Sequence, residues 1–283
     1  METPEENAYV LDAESAAEMA RLMRQDVLLT RGMGGVFPEQ GEADLADIQR
    51  VLDLACGPGG WPLEVAYTYS DMEVVGVDIS ARMIAYARAQ ANAQQRTNVR
   101  FEIMNILQPL AFAEDSFDLI NARLVNGFVK KEMWPVLLRE ALRVLRPGGM
   151  LRLTEAEASM SNKPSFEKAF GALMRVLARA GMSFSPSGNY HSLIQMLPSL
   201  LRQAGVSHIR TRAYFLEFSY GTEAHESFYL DFQSAFSQIT PMIEKLGIMG
   251  TDEWRTLSHQ ALAEMLQEDF CAAWTLLTAW GHR

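Results

Sequence analysis

Apolar residues fall into two recurring patterns along this chain: short runs in which they predominate, and longer stretches in which they return every three or four positions. The first pattern reads as strands buried on both faces of a sheet, the second as amphipathic helices laid against it. The runs are Val51 to Leu54, residues 73 to 77, Val99 to Ile103, residues 117 to 122 and Met150 to Glu155. All but the third are followed by a helix-compatible stretch, the alternation expected of an α/β chain. Further strands are expected at His208 to Ser219 and Phe270 to Trp280.

Helix signals punctuate the same map. Residues 12 to 31 predict a helix with a Ser15/Glu18 capping box and an apolar stripe of Met19, Met23 and Val27, stopped by Gly32. Ser80 caps a helix from 81 to about 96 with Ile84, Ala87 and Ala91 inward. Residues 131 to 145 turn Leu138, Leu142 and Leu145 inward, and Arg146-Pro147-Gly148-Gly149 ends that helix before the fifth strand. Beyond residue 160 two helical insertions are expected, 163 to 181 and 222 to 268, with a helix from His191 to Ala204 between them. The second insertion carries Phe228, Tyr229, Phe232, Phe236, Met242, Ile243 and Leu246.

The chemistry concentrates in Val51-Leu52-Asp53-Leu54-Ala55-Cys56-Gly57-Pro58-Gly59-Gly60-Trp61, with Val74-Val75-Gly76-Val77-Asp78 about twenty residues on. A strand breaking into a glycine turn and then a helix is a nucleotide-binding unit. Gly57 and Gly59 let a ligand lie against bare backbone, and a carboxylate ending the next strand accepts the hydroxyls of a ribose. The dinucleotide fingerprint G-x-G-x-x-G is broken, because its third glycine falls on Pro62.

These residues resemble the class I S-adenosylmethionine-dependent methyltransferases, whose first motif Leu52 to Gly59 follows position by position. The resemblance runs from about Arg50 to Glu155 and is nearest in style to the ubiquinone/menaquinone-biosynthesis-like branch of small-molecule enzymes. It implies a Rossmann-like seven-stranded, mostly parallel sheet with an antiparallel last strand, helices on both faces and a helical lid. It implies S-adenosyl-L-methionine as cofactor and S-adenosyl-L-homocysteine as product, held by Asp53, Ala55, Gly57, Gly59, Trp61, Asp78, Ile79, Met83, Asn105, Ile106, Asn121, Ala122 and Arg123, with Arg31 reaching the methionine carboxylate. Asn105 departs from the family, which mostly has an aspartate there to accept the adenine amino hydrogen; an amide oxygen can still accept it.

The domain map that follows is a lid segment over 1–49, a cofactor-binding core over 50–160, inserted and core helices over 161–207, and the last two strands over 208–283 with the 222–268 insertion capping the substrate. A mainly apolar lid suits a small hydrophobic or aromatic acceptor. Candidate bases are Glu155 at a strand end, His191 at a helix start and His225 in the second insertion. Glu223, His225 and Glu226 cluster without the facing needed for a metal, so none is expected.

Composition sets the outer limits. With 283 residues, 48% hydrophobic and 21% charged, the chain has the make-up of a large globular core, and a net charge of -10 argues against nucleic acid. Two cysteines, Cys56 and Cys271, and an acidic first stretch predict a cytoplasmic protein without a membrane span. A homodimer is compatible with the sequence. Two other classes stay open: a Rossmann-type oxidoreductase, and a non-catalytic cofactor-binding regulator.

Overall fold

Hydrogen-bonded register defines an eight-stranded sheet in the computed structural model, which describes residues 15–283. The strands are β1 (Arg50–Leu54), β2 (Glu73–Asp78), β3 (Val99–Ile103), β4 (Phe117–Arg123), β5 (Leu145–Ala156), β6 (Met160–Ser161), β7 (Ser207–Glu217) and β8 (Ala272–His282). Their order is β3-β2-β1-β4-β5-β8-β6, with β7 also paired to β8. The first five are mutually parallel, and β8 is antiparallel to β5 and β7. The seven expected strands are therefore present, with the two-residue β6 added. The strand order reverses between β1 and β4, where the carboxyl ends of an open sheet leave a ligand crevice.

The helices are α1 (Ala16–Met33), α2 (Glu42–Leu45), α3 (Gly60–Thr68), α4 (Ala81–Ala93), α5 (Trp134–Val144), α6 (Pro164–Arg179), α7 (Leu193–Gln203), α8 (His225–Lys245) and α9 (Thr251–Met265). One core cluster packs α5 and α7 against the sheet, a second packs α3 and α4 on the opposite face, and a third joins α6, α8 and α9 to β7 and β8. Gly59 lies at φ 84° directly before α3, and a Cβ there would meet Ala87 and Phe101 at 2.8 Å. It lets α3, α4 and β3 close on one another; it is not part of the cavity lining.

Two local expectations need correction. The Met19/Met23/Val27 stripe does not face a core: Met23 and Val27 are exposed, and α1 buries Glu18, Arg21, Leu29 and Met33. Arg21 pairs with Glu18 at 2.7 Å and with Asp231 of α8 at 2.9 Å, so ion pairing stabilises a polar buried face that an apolar period cannot reveal. The Ser15 hydroxyl accepts from Ala17 N. Arg146-Pro147-Gly148-Gly149 lies inside β5, not in a turn before it, and the pairing with β4 slips from Phe117↔Leu145 to Leu119↔Met150 there. The glycines permit that bulge: a Cβ on Gly149 would meet the Asp118 carbonyl at 2.9 Å. Residues 1–14, including the start of the expected 12–31 helix, lie outside the described residues.

Candidate active site

A cavity of about 340 Å3 opens at the carboxyl ends of β1, β2, β4 and β5 and is roofed by α1, α6 and α8. Its half nearer β1 and β2 is built by the loop after β1. Ala55 takes φ 56° and Gly57 φ 54°, a left-handed backbone that alanine adopts only under tertiary constraint. Both line the cavity. The Asp78 carboxylate organises this loop, accepting Gly57 N and Ser80 N at 2.9 Å each. Ile79, Met83 and Ile106 supply apolar walls. Asn105 lines the same half, its side-chain oxygen accepting Leu107 N at 3.0 Å.

Sheet register builds a polar row beneath this half. Asp53, Asn121 and Arg152 are direct partners across β1, β4 and β5. Asn121 donates to Asp53 at 2.7 Å and accepts from Arg152 at 2.6 Å. Arg152 reaches Glu39 at 3.0 Å, and the Tyr214 hydroxyl on β7 donates to Glu39 at 2.5 Å. Burial pushes the Asp53 carboxyl up to about 7, against the pull of the Arg123 charge. Asp53 and Arg123 line the cavity, whereas Asn121 and Ala122 lie beneath it.

α1 closes the site over the loop. Arg123 pairs with Asp26 and donates to Thr30 Oγ1 at 3.1 Å. A Cβ on Gly60 would strike that same Asp26 carboxylate, so glycine here leaves room for the helix above it. Trp61 is buried below the loop, donating to the Val36 carbonyl at 3.2 Å and edge-on to Phe37; it does not line the cavity. Arg31 is exposed near the end of α1, also away from the cavity.

The other half of the cavity is mainly apolar, with Leu173, Met174 and Leu177 from α6, Phe232 and Ile239 from α8, and Trp274 from β8. Of the lid aromatics singled out from sequence only Phe232 lines it. Phe228 and Phe236 fill the lid's own core. Arg21, Gln25 and Asp231 add a polar edge. Local pattern offers no reason to choose these three, or Glu157, because each reaches the cavity through packing of distant segments.

The three candidate bases separate clearly. His225 bonds the Met265 carbonyl at 2.7 Å and is not at the cavity. Glu155 is fully buried and does not line the cavity; its carboxyl accepts Val125 N at 3.0 Å and Asn126 N at 3.3 Å. It braces the short turn after β4, whose first residue Leu124 is left-handed at φ 53°. His191 does line the cavity. Among the described residues no group of three or more His, Cys, Asp or Glu could hold a metal ion.

Burial pushes the Glu155 carboxyl from 4.5 up to about 8, against the two backbone bonds. The folded chain thus keeps a proton that the unfolded chain releases above 4.5, so stability falls as pH rises through that window. The slope can reach about 1.4 kcal/mol per pH unit. Asp53 contributes a parallel slope that ends near 7. In Glu155→Gln the urea midpoint should therefore become nearly flat between about pH 7 and 8.5, while the parent still declines. An unchanged slope in the variant would place the proton elsewhere.

Residues 51–149 match a family described as a methyltransferase domain. Methyltransferase str2 of Strobilurus tenacellus is 28% identical over 189 residues, covering 64% of this chain and 62% of that protein. Demethylmenaquinone methyltransferase of Lactococcus lactis subsp. lactis is 28% identical over 167 residues, covering 55% of this chain and 64% of that protein. The chain thus spans a little over three fifths of the length of these relatives. In fold it is similar to the YcgJ protein of Bacillus subtilis, with TM-score 0.53 at 19% identity over 83% of this chain and 92% of that one. A glycine loop with its acid at the end of β2, the strand order and the matched segment agree, and residues 51–149 are a methyltransferase domain similar to those of the class I S-adenosylmethionine-dependent enzymes.

Proposed function

We propose that this chain moves a methyl group from S-adenosyl-L-methionine to a small, hydrophobic or aromatic organic acceptor. One observation carries the proposal: a single cavity joins an acid-lined half beside the loop after β1 to an apolar half under α6 and α8. In this reading Asp78 accepts the ribose hydroxyls, Ile79, Met83 and Ile106 pack on the flat base, and Asn105 accepts from its amino group; that all five line the cavity supports it. The lining carries Asp26, Asp53, Asp78, Glu157 and Asp231 against only Arg21 and Arg123. Such a wall favours a cationic cofactor and opposes acceptors that carry phosphate or several carboxylates.

Bound there, the cofactor supplies an electrophilic methyl on a sulfonium. The chain's own contribution is placement: the left-handed turns at Ala55 and Gly57 fix the loop, the Arg123–Asp26 pair holds α1 over it, and the apolar wall keeps water from the acceptor. Orientation of this kind is worth roughly 7–11 kcal/mol in a two-substrate reaction.

The alternative of a dinucleotide oxidoreductase meets a charge conflict. A pyrophosphate needs the open N-terminus of the helix after the loop. At α3 that position is packed against the chain's own Asp26 carboxylate. Calorimetric titration separates the two: S-adenosylhomocysteine should release heat at micromolar concentration and NADH none. Heat with NADH alone overturns the proposal, and tight binding without label transfer from methyl-labelled cofactor to any compound of a broad acceptor panel would favour a regulator. Cys56 and Cys271 are both free thiols, in keeping with a reducing cytoplasm as its place of work. No described helix is long and apolar enough to cross a membrane.

A further inference from the structure

Resting on that function, we infer that the acceptor presents an acidic hydroxyl, phenolic or enolic, to Nδ1 of His191, which takes its proton during transfer. His191 precedes α7 and is 1% exposed, yet it lines the cavity. Its backbone is held by Glu157, whose two carboxylate oxygens accept His191 N and Ser192 N at 2.7 Å each. Ser192 is left-handed at φ 56°, so the chain is bent sharply to put the imidazole there.

The ring is oriented as firmly as its backbone. Nε2 lies 3.3 Å from the Asn126 carbonyl. A carbonyl can only accept, so Nε2 carries the hydrogen and, in the neutral ring, Nδ1 holds a lone pair. Nδ1 is buried and has no hydrogen-bond partner among the described residues. A buried acceptor left unmatched is destabilising, and a ligand donor at this position removes that cost. Burial keeps the ring neutral by lowering its proton affinity, against the opposing charge of Glu157. Glu155, under the same turn, adds no negative charge near neutrality because its own carboxyl holds its proton up to about 8. Glu155 is then a positioning residue: it fixes Val125 and Asn126, and the Asn126 carbonyl fixes His191.

This arrangement selects the acceptor atom. A neutral amine or a thiolate attacks a methyl sulfonium without a base, whereas a neutral hydroxyl must lose a proton. The O–H bond breaks with its proton passing to Nδ1, and the oxygen's electron pair forms the new O–C bond. The C–S bond breaks with its pair staying on sulfur, and the imidazolium returns its proton to water. A weakly basic buried imidazole suits a hydroxyl near the acidity of phenol, about 10, rather than an aliphatic alcohol. A base so placed contributes roughly 100- to 10,000-fold.

The test uses the full chain with S-adenosylhomocysteine or labelled S-adenosylmethionine and matched probes: 4-methylphenol, catechol and 1-naphthol against 4-methylaniline and 4-methylthiophenol. The hydroxyl probes should be methylated. In His191→Gln, whose amide can still donate to the Asn126 carbonyl, kcat should fall about 100- to 10,000-fold and lose its acid limb while S-adenosylhomocysteine affinity stays within twofold. If the variant does not fold, the wild-type complex decides: on binding 4-methylphenol the 15N resonance of His191 Nδ1 should move upfield, as expected for a ring lone pair that begins to accept a hydrogen bond. Transfer to the amine or thiol probes alone, an undiminished kcat in His191→Gln, or no movement of that resonance with any hydroxyl probe overturns the assignment. Each of those leaves cofactor binding intact, so they are distinct from failure of the methyltransferase proposal, which would show as absent S-adenosylhomocysteine binding.

Discussion

In Arg152→Ala the free energy of unfolding should fall by about 3–5 kcal/mol, the usual cost of removing one partner from a buried ion pair. Arg152 and Glu39 have side chains 1% and 0% exposed, so no water can take over the guanidinium's role. Deleting it strands the Glu39 carboxylate with the Tyr214 hydroxyl as donor, and it leaves the Asn121 amide oxygen without its 2.6 Å partner. The pair ties the segment before β1 to β5, and Tyr214 extends the tie to β7, so the loss is spread over distant parts of the chain. Replacing both charges, Arg152→Met with Glu39→Gln, should recover at least half of the loss because no uncompensated charge remains. Urea unfolding of the three proteins checks this. A loss below about 1 kcal/mol in Arg152→Ala would mean that the charges are hydrated in solution.

Asp78→Ala should weaken S-adenosylhomocysteine by at least about 100-fold. Hydrogen bonds to a charged acceptor contribute about 1.5–3 kcal/mol each, and two ribose hydroxyls at the lower figure give about 3 kcal/mol, or a little over two decades. The lower figure applies because Asp78 is only partly buried. An ionised carboxylate accepts about four donors, so the bonds to Gly57 N and Ser80 N and those to a ribose can coexist. Asp78→Asn keeps one acceptor and should lose less, about tenfold. Calorimetry reads both constants. Equal affinity in Asp78→Ala would remove this carboxylate from the ribose, whereas equal losses in both variants would point to collapse of the loop after β1 instead.

The core of the fold was legible because parallel strands buried on both faces are mostly apolar, and helices against them must be apolar on one side. Val51 to Leu54, residues 73 to 77 and the Ser80 cap satisfy those local rules, so the strand–loop–helix unit and the acid at Asp78 could be read one after another from the chain. Gly57 and Pro62 likewise state their meaning by spacing. α1 shows where the rule stops: it buries Glu18 and Arg21 beside Leu29 and Met33, and bonds to Asp231 and Gln238 of α8, over 200 residues away, help make that burial tolerable.

What tertiary structure alone decided is which polar groups meet. Glu155 and His191 look alike in sequence as titratable residues at element ends, yet one is covered by the turn after β4 and the other is turned into the cavity. Neighbouring side chains on a strand point to opposite faces, and the helix or loop that covers each face comes from far along the chain. Asp53, Asn121 and Arg152 form their row because register aligns three strands, a relation that no local pattern carries. Local sequence determined the elements and the cofactor loop, since hydrophobic period and glycine geometry act over a few residues. The cavity's far half, its acidic wall and the bare nitrogen of His191 were decided by long-range packing, since an electrostatic environment is a sum over whatever the fold brings near.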